Sequence, residues 1–116
     1  MKHLRTVKVN SKNKKKFRLL YSLYLNEISK SSLSKKKIDF VSKNTLNNKK
    51  KIKILFKNKN IEVGFIILIF SKNILNEDVC KINDFYIKKN FRKKKIGQAF
   101  VKKILSSYRK KKLRSL

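Results

Sequence analysis

Hydrophobic positions recur with the period of a helix in the first half of the chain. Over residues 14–28 they return every three or four residues, which predicts an amphipathic helix with one apolar stripe. The stripe consists of Phe17, Leu20, Tyr21, Tyr24, Leu25 and Ile28. We expect both of its tyrosines to pack in a core. After a polar break at residues 29–34, a weaker stripe predicts a second helix through Ile38, Val41 and Leu46.

The middle of the chain changes to the period of a strand. Apolar and polar residues alternate over residues 52–57, which predicts a half-buried strand. The Asn-Lys-Asn sequence at residues 58–60 is typical of a short turn with left-handed positions. Residues 61–70 are almost continuously β-branched or aromatic, as in a central strand covered on both faces. The third strand of this meander is predicted over residues 79–87, after a connection at residues 71–78.

Weaker patterns extend this reading towards both ends of the chain. Alternation over residues 4–9 suggests a first strand, and a helical stripe runs over residues 96–108. The predicted fold class is therefore α/β, in detail α+β, with antiparallel strands covered by helices. We expect residues 1–116 to form a single domain, with a strand and helices in residues 1–50 and a strand meander and helix in residues 51–110.

The charge of the chain is extreme. It has 34 basic and 6 acidic residues, a formal net charge of +28. Such a field attracts phosphorylated cofactors and polyanions such as RNA, so nonspecific polyanion binding is one expectation. Lysine, asparagine and isoleucine are the residues of A+T-rich codons, however, and arginine occurs at only five positions. Codon composition is therefore the preferred explanation of the charge, because nucleic-acid specialists favour arginine for bidentate contacts.

Several classes of site are excluded by the inventory of reactive residues. Cys80 is the only cysteine and His3 the only histidine, so we expect neither a metal site nor a Ser-His-Asp triad. Without a histidine partner, Cys80 is expected to be a small buried residue and not a nucleophile. The longest apolar run, residues 65–70, is too short for a membrane span. The first residues of the sequence, Met-Lys-His-Leu-Arg, lack the apolar stretch of a signal peptide, which favours a cytoplasmic location.

The sequence from Asp84 to Gly97, DFYIKKNFRKKKIG, resembles the cofactor motif of the GNAT superfamily of acetyl-CoA-dependent N-acetyltransferases. In that family, a strand ending in an acidic, an apolar, an aromatic and an aliphatic residue leads through a short bridge to Arg or Gln, two variable residues, Gly, an apolar residue, and Gly or Ala. Arg92, Ile96 and Gly97 match, whereas Lys95 stands where the family usually has the first glycine. Gly64 also falls on a family glycine position, so both glycines of the chain fit.

The resemblance implies that acetyl-CoA binds at the end of the third predicted strand. Its pyrophosphate would lie on a first helical turn formed by residues 93–98, where unpaired N–H groups and the helix dipole favour an anion. Gly97 would let the backbone approach the phosphates, and the Lys95 ammonium would pair with one of them. The implied cofactor-binding residues are Phe85, Tyr86, Ile87, Arg92, Lys93, Lys94, Lys95, Ile96, Gly97 and Gln98.

The resemblance also implies direct acetyl transfer to an amine acceptor, either a protein or a small molecule. Such a transfer needs a general base and an acid for the departing thiolate. Asp84 and Tyr86, predicted on one face of the strand opposite Phe85 and Ile87, are the candidates. Asp84 would act directly or through water. A purely structural role for Asp84 remains an alternative.

The chain ends where the family continues into another strand, a helix and a last strand. We therefore expect a truncated or degenerate member whose C-terminal strands are missing and whose sheet edge is exposed. Either a second copy completes this edge in a homodimer, or the chain is an association-prone product with impaired activity, and the second outcome is preferred. The alternative hypothesis is a basic RNA- or ribosome-associated binding protein without catalytic activity. Against it, Phe65, Phe70 and Phe85 are predicted in the core, and these leave no aromatic stacking set on an exposed strand.

Overall fold

The computed structural model describes residues 4–29 and 32–115, except for the side chains of residues 93, 94 and 108–115. Its elements are β1 (Leu4–Lys8), α1 (Lys14–Ile28), α2 (Lys35–Asn47), β2 (Lys51–Asn58), β3 (Ile61–Lys72), β4 (Asp78–Ile87), a 3₁₀ segment (Lys89–Lys94) and α3 (Ile96–Ser115). The switch from helical to alternating periodicity and back thus predicts the order of the elements correctly.

The four strands form one antiparallel sheet in the order β1-β2-β3-β4. The connection between β2 and β3 is tight because both of its central residues are left-handed, with φ of 53° at Lys59 and 71° at Asn60. Two left-handed residues match the twist of the flanking strands in a hairpin. The turn predicted at residues 58–60 is therefore confirmed, although Asn58 itself still belongs to β2.

One face of the sheet is covered by α1 and α2. The apolar stripe of α1 buries Phe17, Leu20, Tyr21 and Leu25 against the β3 residues Phe65 and Ile67, and α2 adds partly buried side chains at the border. The ring centroids of Phe17 and Phe65 lie 5.2 Å apart in an edge-to-face arrangement. Ile28, the last residue of the predicted stripe, is 59% exposed.

The other face is covered by α3. Ile96, Phe100 and Ile104 recur at four-residue intervals and pack in a core with residues of β2, β3 and β4. The Phe100 ring stacks on Phe56 of β2 with a centroid distance of 4.3 Å. The prediction of helices on both faces is confirmed, and β3 is buried on both sides from Val63 to Leu68.

The outer part of β4 corrects two expectations. Cys80 is exposed, not buried, and Phe70, which lies opposite it on β3, is 40% exposed. Phe85 is also 38% exposed, so neither phenylalanine is a full core residue. Among the described residues β4 pairs with β3 alone, and nearly all of its first half is exposed. The strand period indicates which side chains share a face but not how far the covering helix reaches.

Candidate functional site

The junction between β4 and α3 is built from three short pieces. β4 ends at Ile87, a 3₁₀ turn covers Lys89–Lys94, and α3 begins at Ile96. Lys95 joins the last two in a left-handed conformation, with φ 56° and ψ 18°. The first turn of the helix therefore starts at Ile96 and not at residue 93, because the 3₁₀ segment precedes it. The family glycine position occupied by Lys95 is thus a position where the backbone itself favours glycine.

Gly97 brings α3 close to β4. A β-carbon at this position would lie 3.1 Å from Phe85 Cζ and 3.4 Å from Ile87 Cγ1. The structure therefore gives Gly97 a packing reason in addition to the approach to phosphates predicted from the sequence. The sequence does not predict this close packing, because Phe85 and Gly97 are distant along the chain and meet only where α3 packs on β4.

An open cavity of about 900 Å³ lies beside this junction. Seven of the predicted cofactor residues line it: Phe85, Tyr86, Ile87, Arg92, Lys95, Gly97 and Gln98. Ile96 does not, because its side chain is 4% exposed and belongs to the core under α3. Lys93 and Lys94 were also predicted to bind the cofactor, and their side chains lie outside the described part of the structure.

Five further described residues line the cavity, and the sequence assigned none of them to a site: Tyr24, Glu27, Ile28, Val101 and Lys102. The first three come from the C-terminal half of α1, where Tyr24 was expected only to pack in the core. The sequence signal for Tyr24 is its polar hydroxyl within the apolar stripe of α1. A tyrosine in such a stripe by itself predicts a core residue. The last two follow the motif by one helical turn on α3.

Arg92 ties three elements together at one end of the cavity. Its Nε donates to the carbonyl oxygen of Ile87 at 2.8 Å, and its Nη2 lies 2.6 Å from Glu27 Oε2 on α1. The guanidinium also lies over the Tyr86 ring, 5.5 Å from the centroid. The hydrogen bond from Arg92 lowers the pKa of the exposed Glu27 carboxyl. Arg92 is therefore already paired with an anion.

The free edge of β4 offers backbone groups to the cavity. The Lys88 N–H donates to the Val63 carbonyl at 2.8 Å. Hydrogen-bonded and non-hydrogen-bonded pairs alternate along an antiparallel ladder, so Tyr86 opposite Phe65 is the next hydrogen-bonded residue. We infer that Phe85 and Ile87 direct their N–H and C=O groups away from β3. The bond from Arg92 to the Ile87 carbonyl agrees with this direction.

A bulge in β4 precedes these residues. Ile67 lies opposite Asp84 and Leu68 opposite Ile82, which leaves Asn83 without an opposite residue. Bulges increase the local twist and redirect side chains, and they occur often beside active sites. Beyond the bulge, Asp84 and Tyr86 share one face of the strand, as the strand period predicts, and both contact Tyr24 of α1.

Asp84 accepts two hydrogen bonds from side chains. Tyr24 Oη donates to its Oδ1 at 2.6 Å, and Asn83 Nδ2 donates to its Oδ2 at 2.7 Å. Burial, followed by the bond to Asp84, raises the pKa of Tyr24 well above its usual value. Burial also raises the pKa of Tyr86, whose ring lies 5.9 Å from that of Tyr24. Both phenols therefore keep their protons at neutral pH.

Residues 4–29 and 32–115 contain neither a metal-ligand cluster nor a membrane-spanning helix. No group of His, Cys, Asp and Glu side chains is placed to hold a metal ion. No helix in that part of the chain is both long and apolar enough to cross a membrane.

No protein-family model matches the sequence, and no curated protein matches it. Solved structures do match. A ribosomal-protein-alanine N-acetyltransferase from Brucella melitensis biovar Abortus 2308 has a TM-score of 0.74 and 15% identity, over 92% of this chain and 72% of that one. A GNAT family acetyltransferase from Staphylococcus aureus has a TM-score of 0.70 and 18% identity, over 96% and 80%.

A third similar structure contains a ligand. It is AAC(6')-Iy in complex with the bisubstrate analogue CoA-S-monomethyl-acetylneamine, with a TM-score of 0.66 and 11% identity, over 94% of this chain and 74% of that one. These likenesses show the fold. The chain has the fold of the GNAT acetyltransferases, and the prediction of that fold from the residue 84–97 motif is confirmed.

Proposed function

We propose that this protein is a GNAT-type N-acetyltransferase, which transfers the acetyl group of acetyl-CoA to an amine acceptor. The observation that carries the proposal is the cavity between β4 and α3, whose wall contains seven of the ten residues that the motif assigns to the cofactor.

The electrostatics of the cavity favour a phosphorylated cofactor. Of the residues that the structure describes, Arg92, Lys95 and Lys102 line it with one carboxylate, that of Glu27. The first turn of α3, starting at Ile96, supplies N–H groups without partners in the helix and the positive end of its dipole. Because Arg92 is already paired with Glu27, we assign the pyrophosphate of acetyl-CoA to this turn and to Lys95 and Lys102.

The free edge of β4 suits the other end of the cofactor. The N–H groups that Phe85 and Ile87 direct away from β3 would bind the pantetheine amides and polarise the thioester carbonyl. Asp84 would accept the proton of the amine, and the protonated Tyr86 phenol would supply a proton to the leaving thiolate. The acceptor is an amine of unassigned class. The field of a chain with net charge +28 favours an acceptor carried on an anionic body over a free polycation.

Calorimetric titration with acetyl-CoA tests the cofactor site. Gly97→Asp should abolish binding, because it adds a carboxylate where the phosphates would lie and crowds Phe85. Gly97→Ala is the matched control: it adds the same β-carbon without the charge and should retain measurable binding. Neutralising Lys14, Lys15 and Lys16 together, far from the cavity, should weaken binding only slightly and in a salt-dependent way.

Equal losses from Gly97→Asp and from the triple lysine variant would instead indicate generic polyanion binding. The transfer itself is tested by thiol release from acetyl-CoA with n-butylamine, sisomicin and a peptide with a free N-terminal alanine. Thiol release that depends on none of these amines would refute the proposed reaction.

One observation favours the alternative, an RNA-binding protein without activity. A groove of about 600 Å³ between α1 and α2 is lined by Lys14, Arg18, Lys36 and Lys43, by Asp39, which pairs with Arg18 at 3.3 Å, and by Phe40, which is 62% exposed. Cations beside an exposed aromatic ring suit a single-stranded nucleic acid. Retention on a polyanion column that disappears at raised salt, without retention on immobilised CoA, would favour this function.

We also propose that the outer part of the free edge of β4, residues 78–82, pairs with a second copy of the chain, whereas the edge at Phe85 and Ile87 is left to the cofactor. Exposed strand edges recruit further strands, and β4 has no second neighbour among the described residues. Light scattering after size exclusion should then give the mass of a dimer, and a monomer at all concentrations would exclude the pairing.

A further inference from the structure

The carboxylate proposed as the proton acceptor does not itself reach the cavity. Asp84 is half-buried and is absent from the cavity wall, which at this point is formed by Tyr24 and Tyr86. Both carboxylate oxygens of Asp84 already accept hydrogen bonds, Oδ1 from Tyr24 and Oδ2 from Asn83. An amine in the cavity therefore meets the Tyr24 side chain before it meets Asp84.

Tyr24 is held in a fixed position between α1 and β4. Its ring makes an edge-to-face contact with Phe65 at 5.4 Å and lies 5.9 Å from the rings of both Tyr21 and Tyr86. The 2.6 Å bond from its hydroxyl to Asp84 connects residues 60 positions apart in sequence. Such a short bond to an anion marks a strong, oriented donor.

We propose that Tyr24 is a catalytic residue that carries the proton of the acceptor amine to Asp84. This role rests on the proposed acetyltransferase function and adds a residue on α1 to the site. The Tyr24 oxygen accepts a proton from the amine while the Tyr24 hydroxyl proton passes to Asp84 Oδ1. The phenol is regenerated in the same step, so no free tyrosinate forms.

The reaction balances with acetyl-CoA and the amine alone. An alkylammonium first gives one proton through Tyr24 to Asp84, and the freed nitrogen lone pair forms the C–N bond to the acetyl carbon. The C–S bond breaks with its electron pair on sulfur, and the Tyr86 phenol protonates the thiolate. The second nitrogen proton, which an amide does not keep, then restores the Tyr86 phenol. Asp84 then releases its proton to water, so the products are the amide, free CoA thiol and one proton.

The basicity of the acceptor separates proton transfer from a structural role. An alkylamine resembles the lysine side chain, with a pKa of about 10.4, and is almost fully protonated at neutral pH. O-Methylhydroxylamine is weakly basic and is already neutral there. Thiol release is therefore measured for the wild type and Tyr24→Phe with n-butylamine and with O-methylhydroxylamine. The Phe variant keeps the ring and removes only the hydroxyl.

We expect Tyr24→Phe to lower kcat about 10- to 100-fold with n-butylamine and less than about threefold with O-methylhydroxylamine. The KM for acetyl-CoA should stay unchanged. Tyr21→Phe is the matched control, since it removes a hydroxyl one turn earlier on α1 that bonds Thr45 and does not line the cavity. It should leave both rates unchanged. Asp84→Asn should show the same dependence on acceptor basicity, which provides a second reading should Tyr24→Phe fail to fold.

Each other outcome decides against the proposal. Equal losses with both acceptors would mean that the Tyr24 hydroxyl only supports the structure. Unchanged rates would mean that the proton leaves by another route. Both outcomes leave the acetyltransferase function standing. If the wild type binds acetyl-CoA but releases no thiol with any amine, the proposed function fails, and the role of Tyr24 fails with it.

Discussion

Lys95 is expected to lower the stability of the fold while strengthening the cofactor site. Its left-handed φ of 56° is a conformation that costs a residue with a β-carbon about 1–2 kcal/mol. Glycine removes this cost. Glycine also gives the unfolded chain more conformational entropy, which lowers the free energy of unfolding by about 0.4–1 kcal/mol. The net gain in the free energy of unfolding of Lys95→Gly is then about 0.5–1 kcal/mol. For a domain of 116 residues, this corresponds to a rise in Tm of about 2–5 °C.

The same substitution should weaken the binding of acetyl-CoA. Lys95 is exposed and lines the cavity, so its attraction to a phosphate is screened. We expect an affinity about 2- to 5-fold lower at low salt, and a difference that shrinks as salt is added. Urea unfolding and calorimetric titration, carried out on the same samples, give the two quantities.

Lys95→Ala separates the backbone from the charge. It removes the ammonium but keeps the β-carbon, so its stability should stay near that of the wild type while its affinity falls as in Lys95→Gly. If Lys95→Gly is no more stable than Lys95→Ala, the argument from the left-handed backbone is wrong. If both variants bind acetyl-CoA as the wild type does, Lys95 has no role at the phosphates.

Three further predictions concern stability. Gly64→Ala should cost about 2–3 kcal/mol in urea unfolding, because its β-carbon would overlap the Tyr86 carbonyl oxygen and push β4 from β3; a loss no larger than that of Gly97→Ala would contradict this. Ser42→Ala should stabilise the protein by about 1 kcal/mol, since Ser42 Oγ is buried without a hydrogen-bond partner in the described part of the chain, and a destabilised variant would reveal a hidden partner. Arg92 lowers the pKa of Glu27 below its usual value of 4.5, so the Arg92–Glu27 pair stabilises the fold above pH 4.5 and this stabilisation is lost as the pH falls below it. Thermal melts on both sides of pH 4.5 should therefore show a smaller acid-induced fall in Tm for Glu27→Gln than for the wild type.

The period of the apolar residues determines most of the architecture. The α1 stripe, the two-sided β3 and the four-residue repeat of α3 each fix which side chains turn inward, because burial of apolar surface dominates the stability of such elements. The motif from Asp84 to Gly97 also locates the cavity, since its residues are contiguous along the chain and the strand-to-helix junction brings them together. The start of α3 shifts to Ile96 because a 3₁₀ turn is not visible in a periodicity of 3.6.

Contacts between distant segments were decided only by the tertiary structure. Tyr24 looks like a core residue of α1 until β4 brings Asp84 to its hydroxyl, and Arg92 looks like a free cation until α1 brings Glu27 to it. Phe85 likewise looks like a core residue until the cavity beside α3 leaves it 38% exposed. A sequence pattern states which face of an element is apolar, whereas the identity of the groups that meet across that face depends on how the elements pack.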